Sequence, residues 1–213
     1  MSKSLLVRAS IPESARNVAG AIDMWPAGHQ FHKDDPVIDG FTEIEGAIGT
    51  GSAGFNTGRS SRQLVVALAL LAELDDKMLK GDHNKVVARL RQSKVLGGKR
   101  ILDANYSVQP TFAVAAAALG AEVYLLKGAI SQPAYDSKVT RVHELDIRAT
   151  DVSGSAFPSN FDLAVTGSVE PGLGMTLLGE APRASSISAL AIHSLRPGGY
   201  VYNAKTLRQK QTS

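Results

Sequence analysis

The feature that most constrains this chain is an alternation of short apolar strands and helices, which runs from Lys99 to Leu207. Five segments are typical of strands: "KRILDA", "AEVYLLK", "VTRVHELDI", "FDLAVTGS" and "YVYNAKTL". The segments "PTFAVAAAALG" and "SSISALAIHSLRPGG" are typical of helices that end at glycine. Strands that alternate with helices pair in parallel through right-handed crossovers. The sequence therefore predicts a doubly wound α/β domain whose mostly parallel sheet is covered on both faces.

Two helices precede this alternating region. "RQLVVALALLAELDDKML", after Ser60 or Ser61, is apolar throughout and predicts a mostly buried helix. "NKVVARLRQSKVL" predicts an amphipathic, basic helix that ends at Gly97 and Gly98. Residues 1–58 mix proline, glycine and charge without a period, although "SLLVRASI" could form a strand. We therefore expect an N-terminal arm with a glycine-rich loop over residues 1–58 and an α/β domain over 59–213.

Composition excludes several classes of chemistry. The chain has no cysteine, which rules out disulfides, a thiolate nucleophile and cysteine-ligated zinc or iron–sulfur sites. His29 and His32 form an HxxH pattern among prolines and glycines, so a polar loop is expected there and no metal site. The sequence shows no apolar run long enough to cross a membrane and no signal peptide. These features favour a cytoplasmic protein without membrane association.

Charge is distributed unevenly along the chain. Residues 1–100 carry 14 Lys/Arg against 11 Asp/Glu, whereas the remainder carries 9 of each. Most of the basic excess lies between Lys77 and Arg100. Clustered basic side chains neutralise the phosphates of a polyanion, so the segment Lys85 to Arg100 is a candidate surface for RNA. The alternative is a solvated helix face without a partner.

From Gly98 to Leu207 the order of elements resembles that of class I S-adenosylmethionine-dependent methyltransferases. "KRILDANYSVQPTFA" is similar to the family's first motif, in which a strand ends in an acid, here Asp103. "VHELDI" is similar to the third strand, whose terminal acid, here Asp146, usually contacts the adenine amino group. "ALAIHSLRPGGYVYNAK" is similar to the helix, turn and fifth strand. The resemblance implies an S-adenosylmethionine cofactor bound by Asp103, Ala104, Asn105, Tyr106, Ser107, Asp146 and Ile147.

Two features depart from the family pattern. The loop after the first strand has no glycine, and Tyr106, Val108 and Gln109 bring side chains to where the backbone usually approaches the ligand. Lys127 stands where an acid usually accepts hydrogen bonds from the ribose hydroxyls, and lysine has donors only. The family's last two strands have no obvious counterpart. Either that sheet edge is truncated or the N-terminal arm supplies strands in another order.

The resemblance implies a divergent methyltransferase-like protein, such as a viral or phage enzyme, that acts on RNA or associates with it. No catalytic base is assigned, because the lysine and acid tetrad of RNA 2'-O-methyltransferases is matched only near Lys205. The alternative is a catalytically inactive module of the same fold that serves as a structural or RNA-binding subunit. A third hypothesis is another nucleotide-binding domain, in which Lys127 contacts a phosphate.

Overall fold

The computed structural model describes residues 6–21, 57–105, 111–127, 142–146, 157–166, 184–203 and 206–212. Its strands are β1 (Leu6–Ala9), β2 (Arg100–Ala104), β3 (Glu122–Lys127), β4 (Val142–Asp146), β5 (Phe161–Thr166), β6 (Leu195–Asn203) and β7 (Thr206–Lys210). Its helices are α1 (Ser14–Ala21), α2 (Thr57–Leu71), α3 (His83–Gln92), α4 (Thr111–Ala118) and α5 (Ala184–Ser194). None of the helices in these ranges has the length and apolarity needed to cross a bilayer.

The strands form a seven-stranded sheet in the order β1-β7-β6-β5-β2-β3-β4. Strands β2 to β6 pair in parallel, whereas β7 is antiparallel to both β6 and β1. If the parallel strands are numbered from β2 onward, their order reads 3-2-1-4-5. This is the order of doubly wound sheets. Strands β3 and β4 lie on one side of β2, and the chain then crosses to the other side of β2 to form β5 and β6, so the strand order reverses between β2 and β5. The predicted fold class is confirmed.

The sheet packs between two apolar clusters, one on each face. On one face, Ile101, Val123 and Leu163 contact residues of α1, α2, α3 and α4. On the other face, Leu102 and Leu126 pack with residues of α5. Because side chains alternate along a strand, Asp103 lies on the same face as Ile101. That alternation places the acid under α2 and α4 and within the interior.

The end of the chain forms a hairpin, although the sequence predicted a single strand over "YVYNAKTL". Strand β6 ends at Asn203 and β7 begins at Thr206, and these two residues are register partners. Tyr202 and Leu207, also partners, are 4% and 2% exposed. Leu207 comes five positions after Tyr202, so a straight strand would point one of them away from the core. Folding the chain back between them buries both on the same face.

Strand β1 lies outside β7 and forms that edge of the sheet. The sequence left two alternatives open for this edge, truncation or strands supplied by the N-terminal arm. The N-terminal segment does supply a strand. Residues 14–21 are helical, which the sequence analysis did not predict. Ala15 and Val18 are buried, and α1 packs against α2. The residues described in the predicted arm therefore contact the α/β domain, while the boundary near residue 58 stays a prediction.

Helices α2 and α3 are shorter than predicted. Helix α2 ends at Leu71, and farther on Asp75 accepts a hydrogen bond from the Met78 amide at 2.8 Å, which favours a turn over further helix. Helix α3 ends at Gln92, before the two glycines, because Lys94 adopts a left-handed conformation with φ 47°. The amide of Val95 then reaches back to the Leu90 carbonyl at 3.3 Å, as in a Schellman C-cap.

The "RPGG" segment forms a bulge in β6. Leu195 pairs with Phe161, and the next registered pair is Tyr200 with Leu163, so more residues lie on β6 than on β5. A Cβ atom at Gly199 would lie 2.7 Å from the Phe161 carbonyl oxygen and 3.0 Å from that of Arg196. Glycine is required at this position because two segments of backbone approach each other too closely for any side chain.

Candidate functional site at the carboxyl ends of β2 and β5

The reversal in strand order brings the carboxyl ends of β2 and β5 together. Asp103 pairs with Val165 and Ala104 pairs with Thr166, the last residue of β5. In open α/β sheets, ligands bind outside the carboxyl ends of the strands at this switch point, where the connections on the two sides diverge. The candidate site therefore lies where the chain leaves β2 and β5.

Asp103 is buried beneath this site, with 1% of its surface exposed. Its Oδ1 atom accepts hydrogen bonds from the backbone amide of Asn105 at 3.0 Å and from Asn105 Nδ2 at 2.7 Å. The carboxyl group also accepts a hydrogen bond from the Ala113 amide, in the first turn of α4. Burial raises the pKa of Asp103 to about 6, and the hydrogen bonds from Asn105 and Ala113 oppose that rise. The acid therefore links the end of β2 to the start of α4.

Gln63 completes this network and was not among the residues predicted from the sequence. The side chain lies on α2 and is 0% exposed. Gln63 Nε2 donates to Asn105 Oδ1 at 2.7 Å, and Asn105 Nδ2 donates to Gln63 Oε1 at 3.0 Å. The signal that could have revealed it is a lone amide in the apolar run "RQLVVALALL", because a buried polar group requires a partner.

The other predicted site residues that the structure describes lie at the ends of two strands, β2 and β4. Ala104 is 0% exposed and Asn105 is 9% exposed, so both lie under the surface near Asp103. Asp146 ends β4, two strands away from β2, and its register partner is Lys127 at the end of β3. The structure therefore brings Asp103, Ala104 and Asn105 together at the switch point. The remaining predicted residues, Tyr106, Ser107 and Ile147, lie outside the described residues.

A nucleoside cofactor at this position finds support from some of these residues but lacks one usual contact. Asp103 and Asn105 are buried and mutually hydrogen-bonded, which suits them to fix the backbone beneath a ligand. Lys127 does not fit the role of the ribose acid, because its ammonium group cannot accept a hydrogen bond from a hydroxyl. The site is thus compatible with a bound nucleoside only if the ribose is recognised by other groups.

In the basic segment, two of the arginines make contacts within the protein. Arg89 donates to the carbonyl oxygens of Met78, at 3.3 Å, and Lys80. Arg100 donates to the Ser159 carbonyl at 2.6 Å and to the Tyr124 hydroxyl at 2.9 Å. By contrast, the side chain of Lys94 is exposed to solvent. RNA as the partner of this segment stays a prediction.

No protein-family model matches the chain, and no curated protein is significantly similar to it. Several solved structures share part of its fold. A TehB-like SAM-dependent methyltransferase from Corynebacterium glutamicum is 20% identical over 55% of this chain and 59% of its own, with a TM-score of 0.37. The T. thermophilus 16S rRNA N2 G1207 methyltransferase, in complex with AdoMet and guanosine, is 17% identical over 66% of this chain and 44% of its own, with a TM-score of 0.40.

The glycopeptide N-methyltransferase MtfA, complexed with sinefungin, is 16% identical over 55% of this chain and 50% of its own, with a TM-score of 0.36. The chain thus spans roughly half of the length of these structures. Such values carry no argument about activity, and the fold assignment rests on the strand order. The strand order is that of a doubly wound α/β sheet, and the three solved structures that share part of this fold are methyltransferases.

Proposed function

We propose that this protein is a divergent S-adenosylmethionine-dependent methyltransferase-like protein that binds the cofactor, or a closely related nucleoside, at the carboxyl ends of β2 and β5. The observation that supports this most directly is the position of Asp103 at the switch point of the sheet. From there its carboxyl group joins the end of β2 to the first turn of α4. The backbone of Asn105 and of Ala113, held by these hydrogen bonds, gives a ligand a fixed surface to bind against.

The residues of the network have distinct roles in this proposal. S-adenosylmethionine supplies a methyl group activated by its sulfonium. Asp103 links Asn105 to the first turn of α4, and the amide pair of Gln63 and Asn105 joins α2 to the end of β2. Asp146, at the end of β4, is the proposed partner of the adenine amino group. No base is assigned, because alignment of acceptor and methyl group alone accelerates such a displacement strongly.

A second candidate function is a catalytically inactive module of the same fold. Lys127 favours it, because this residue ends β3 where a hydroxyl acceptor is needed. In this reading the buried Asp103 network serves stability alone. The two candidates predict different results in one binding experiment.

The experiment is a calorimetric titration with S-adenosylmethionine and with its demethylated product. We expect micromolar binding that the Asp146→Asn variant weakens at least tenfold, while the control Glu73→Gln, an exposed acid beyond the end of α2, binds as the natural protein does. Absence of binding at millimolar ligand would reject the cofactor proposal and favour the inactive module. Micromolar binding that is unchanged in Asp146→Asn would place the cofactor elsewhere.

We further propose that the protein associates with RNA through the segment Lys85 to Arg100. This segment carries six Lys/Arg and no acid. Lys85 and Lys94 are exposed, and Lys85 pairs with Asp82 at 2.9 Å at the start of α3. A gel shift measured at increasing salt tests this surface, because each phosphate contact contributes to the salt dependence. RNA binding that is unchanged in a Lys85→Gln/Lys94→Gln variant would contradict it.

A further inference from the structure

The two ends of the chain are basic and contain no acid. Residues 1–12 carry two Lys/Arg, residues 181–213 carry five, and neither segment contains Asp or Glu. Residues 101–180, by contrast, carry 4 Lys/Arg against 9 Asp/Glu. The fold brings the two basic ends side by side, because β1 pairs with β7. Charges that are far apart in the sequence therefore meet at one edge of the sheet.

Arg8 and Arg208 are register partners across this antiparallel pair. Both are exposed, and partners in a ladder project from the same face of the sheet. Like charges directly opposite each other destabilise a pair of strands. Within the part of the chain that the structure describes, neither arginine forms an ion pair. Among the described residues, the two guanidinium groups thus form a positive site without a paired acid.

We propose that Arg8 and Arg208 bind the phosphate backbone of RNA, so that the β1–β7 edge is an RNA-docking surface. The planar guanidinium group matches phosphate oxygens with two parallel N–H donors. Neighbouring Lys210 is already engaged, since its Nζ atom donates to the carbonyl oxygens of His193 at 3.1 Å and Leu195 at 2.5 Å. The arginine pair is therefore the part of this edge that is suited to contact a ligand.

The surroundings of the pair favour RNA over a lipid surface. Among the described residues, the large apolar side chains that are exposed are Val7 and Ile11. Val7 pairs with Gln209, and alternation along the strand places it on the face opposite Arg8. Along β1 and β7, the arginine face therefore offers charge and hydrogen-bond donors without an exposed large apolar side chain to insert into a bilayer. RNA, whose negative charges all lie on its phosphate backbone, fits that surface.

Charged residues on an edge strand can also serve to prevent aggregation between sheet edges. One arginine would be enough for that purpose, and a second directly opposite it costs stability. The two roles make different predictions. If the pair serves only to prevent association of sheet edges, its removal promotes aggregation and leaves RNA affinity unchanged, whereas removal of an anion site weakens RNA binding and, by relieving repulsion, leaves the Tm unchanged or raises it.

This inference rests on the proposed RNA association but involves other residues, and it does not depend on cofactor binding. Fluorescence anisotropy with a labelled single-stranded RNA of about 20 nucleotides, over roughly 0.05 to 0.3 M salt, tests it. The variant is Arg8→Gln/Arg208→Gln. The matched control, Arg16→Gln/Lys77→Gln, removes the same charge from exposed positions on α1 and after α2.

We expect the arginine variant to bind RNA about tenfold more weakly near 0.1 M salt, with a salt slope lower by about 1.4, because each lost contact to a single strand removes about 0.7. The control should show a much smaller change, and the Tm of the arginine variant should not fall. Equal affinity and slope in the variant and the control would overturn the proposal. A loss of binding together with a lower Tm would also overturn it, by assigning the pair a structural role.

Two further measurements separate this inference from the proposed function. Loss of RNA binding only in Lys85→Gln/Lys94→Gln would overturn the edge site and leave the proposed RNA association intact. Binding to vesicles of phosphatidylcholine and phosphatidylserine that requires the arginine pair, with RNA binding unchanged, would overturn RNA as the ligand. If the natural protein binds no RNA, both RNA proposals fail, while the cofactor titration remains an independent result.

Discussion

The side-chain amides of Gln63 and Asn105 form two hydrogen bonds with each other, at 2.7 and 3.0 Å, and so join helix α2 to the end of strand β2. Both residues are buried, at 0% and 9% exposure. Asn105 also donates to Asp103, so one amide connects the helix to the buried acid. Chains of buried hydrogen bonds are sensitive to the loss of any member, because the remaining groups keep their desolvation cost.

We therefore expect Gln63→Ala to lower the free energy of unfolding by roughly 2 to 4 kcal/mol, since it creates a cavity and leaves the Asn105 amide without its partner. The measurement is urea unfolding of Gln63→Ala, Asn105→Ala and the double variant. The three values should be non-additive by about 1 to 2 kcal/mol, as is found for residues that share a hydrogen-bond network. Additive values would show that the two amides do not stabilise each other.

Stability should depend on pH through Asp103. Its folded pKa is about 6 against 3.8 for the free side chain, so the folded chain binds the proton more tightly. This contribution is fully present below pH 3.8 and is lost as the pH rises through 6, a change of roughly 3 kcal/mol. Denaturant unfolding between pH 4 and 7.5 should show this decline in the natural protein relative to Asp103→Asn. Parallel pH profiles for the two proteins would contradict it.

Gly199→Ala should destabilise the fold by roughly 2 to 4 kcal/mol, because backbone in the bulge would have to move. The added Cβ would meet the Phe161 carbonyl oxygen at 2.7 Å. The matched control is Gly20→Ala in α1, where a Cβ has no neighbour within 4 Å. That change should stabilise the protein by about 0.5 to 1 kcal/mol, since alanine favours helix. Thermal unfolding of the two variants should therefore show Tm shifts of opposite sign.

Lys127→Glu should strengthen binding of S-adenosylmethionine at least tenfold, because it places a hydroxyl acceptor at the end of β3. Lys127→Met is the control, since it removes the charge without adding an acceptor. Calorimetric titration should show tighter binding for the glutamate variant only. Equal gains in both variants would attribute the effect to loss of the lysine charge, and no gain in either would place ribose recognition elsewhere.

Much of the fold could be predicted, because short apolar runs and single glycines in the sequence indicate strands and helix ends locally. Strands β2, β3, β4 and β5 stand where short apolar runs predicted them, and Gly120 ends α4 with φ 101° as expected for a C-cap. The ends of α2 and α3 were less predictable. Helix α3 ends where Lys94 adopts a left-handed conformation, and a turn at Asp75 follows the end of α2, and neither feature is indicated by the apolar pattern.

Of the candidate site, the sequence identified Asp103, Ala104 and Asn105 and missed Gln63, which precedes Asn105 by 42 residues. An amide in an apolar helix indicates that a partner exists but cannot identify it, because the partner is chosen by packing between elements that are distant in the chain. The sequence alone thus determined the alternation of strands and helices, the buried acid at the end of β2 and the lysine at the end of β3.

Only the tertiary structure decided which distant residues meet. It paired Gln63 with Asn105, folded Tyr202 against Leu207, and placed Arg8 beside Arg208 at the sheet edge. The two strand contacts follow from strand order and register, and the contact of Gln63 with Asn105 follows from the packing of α2 against the end of β2. The free energy that selects these contacts comes from burying whole faces of the sheet. Those faces combine residues from distant segments, so no local stretch of sequence specifies them.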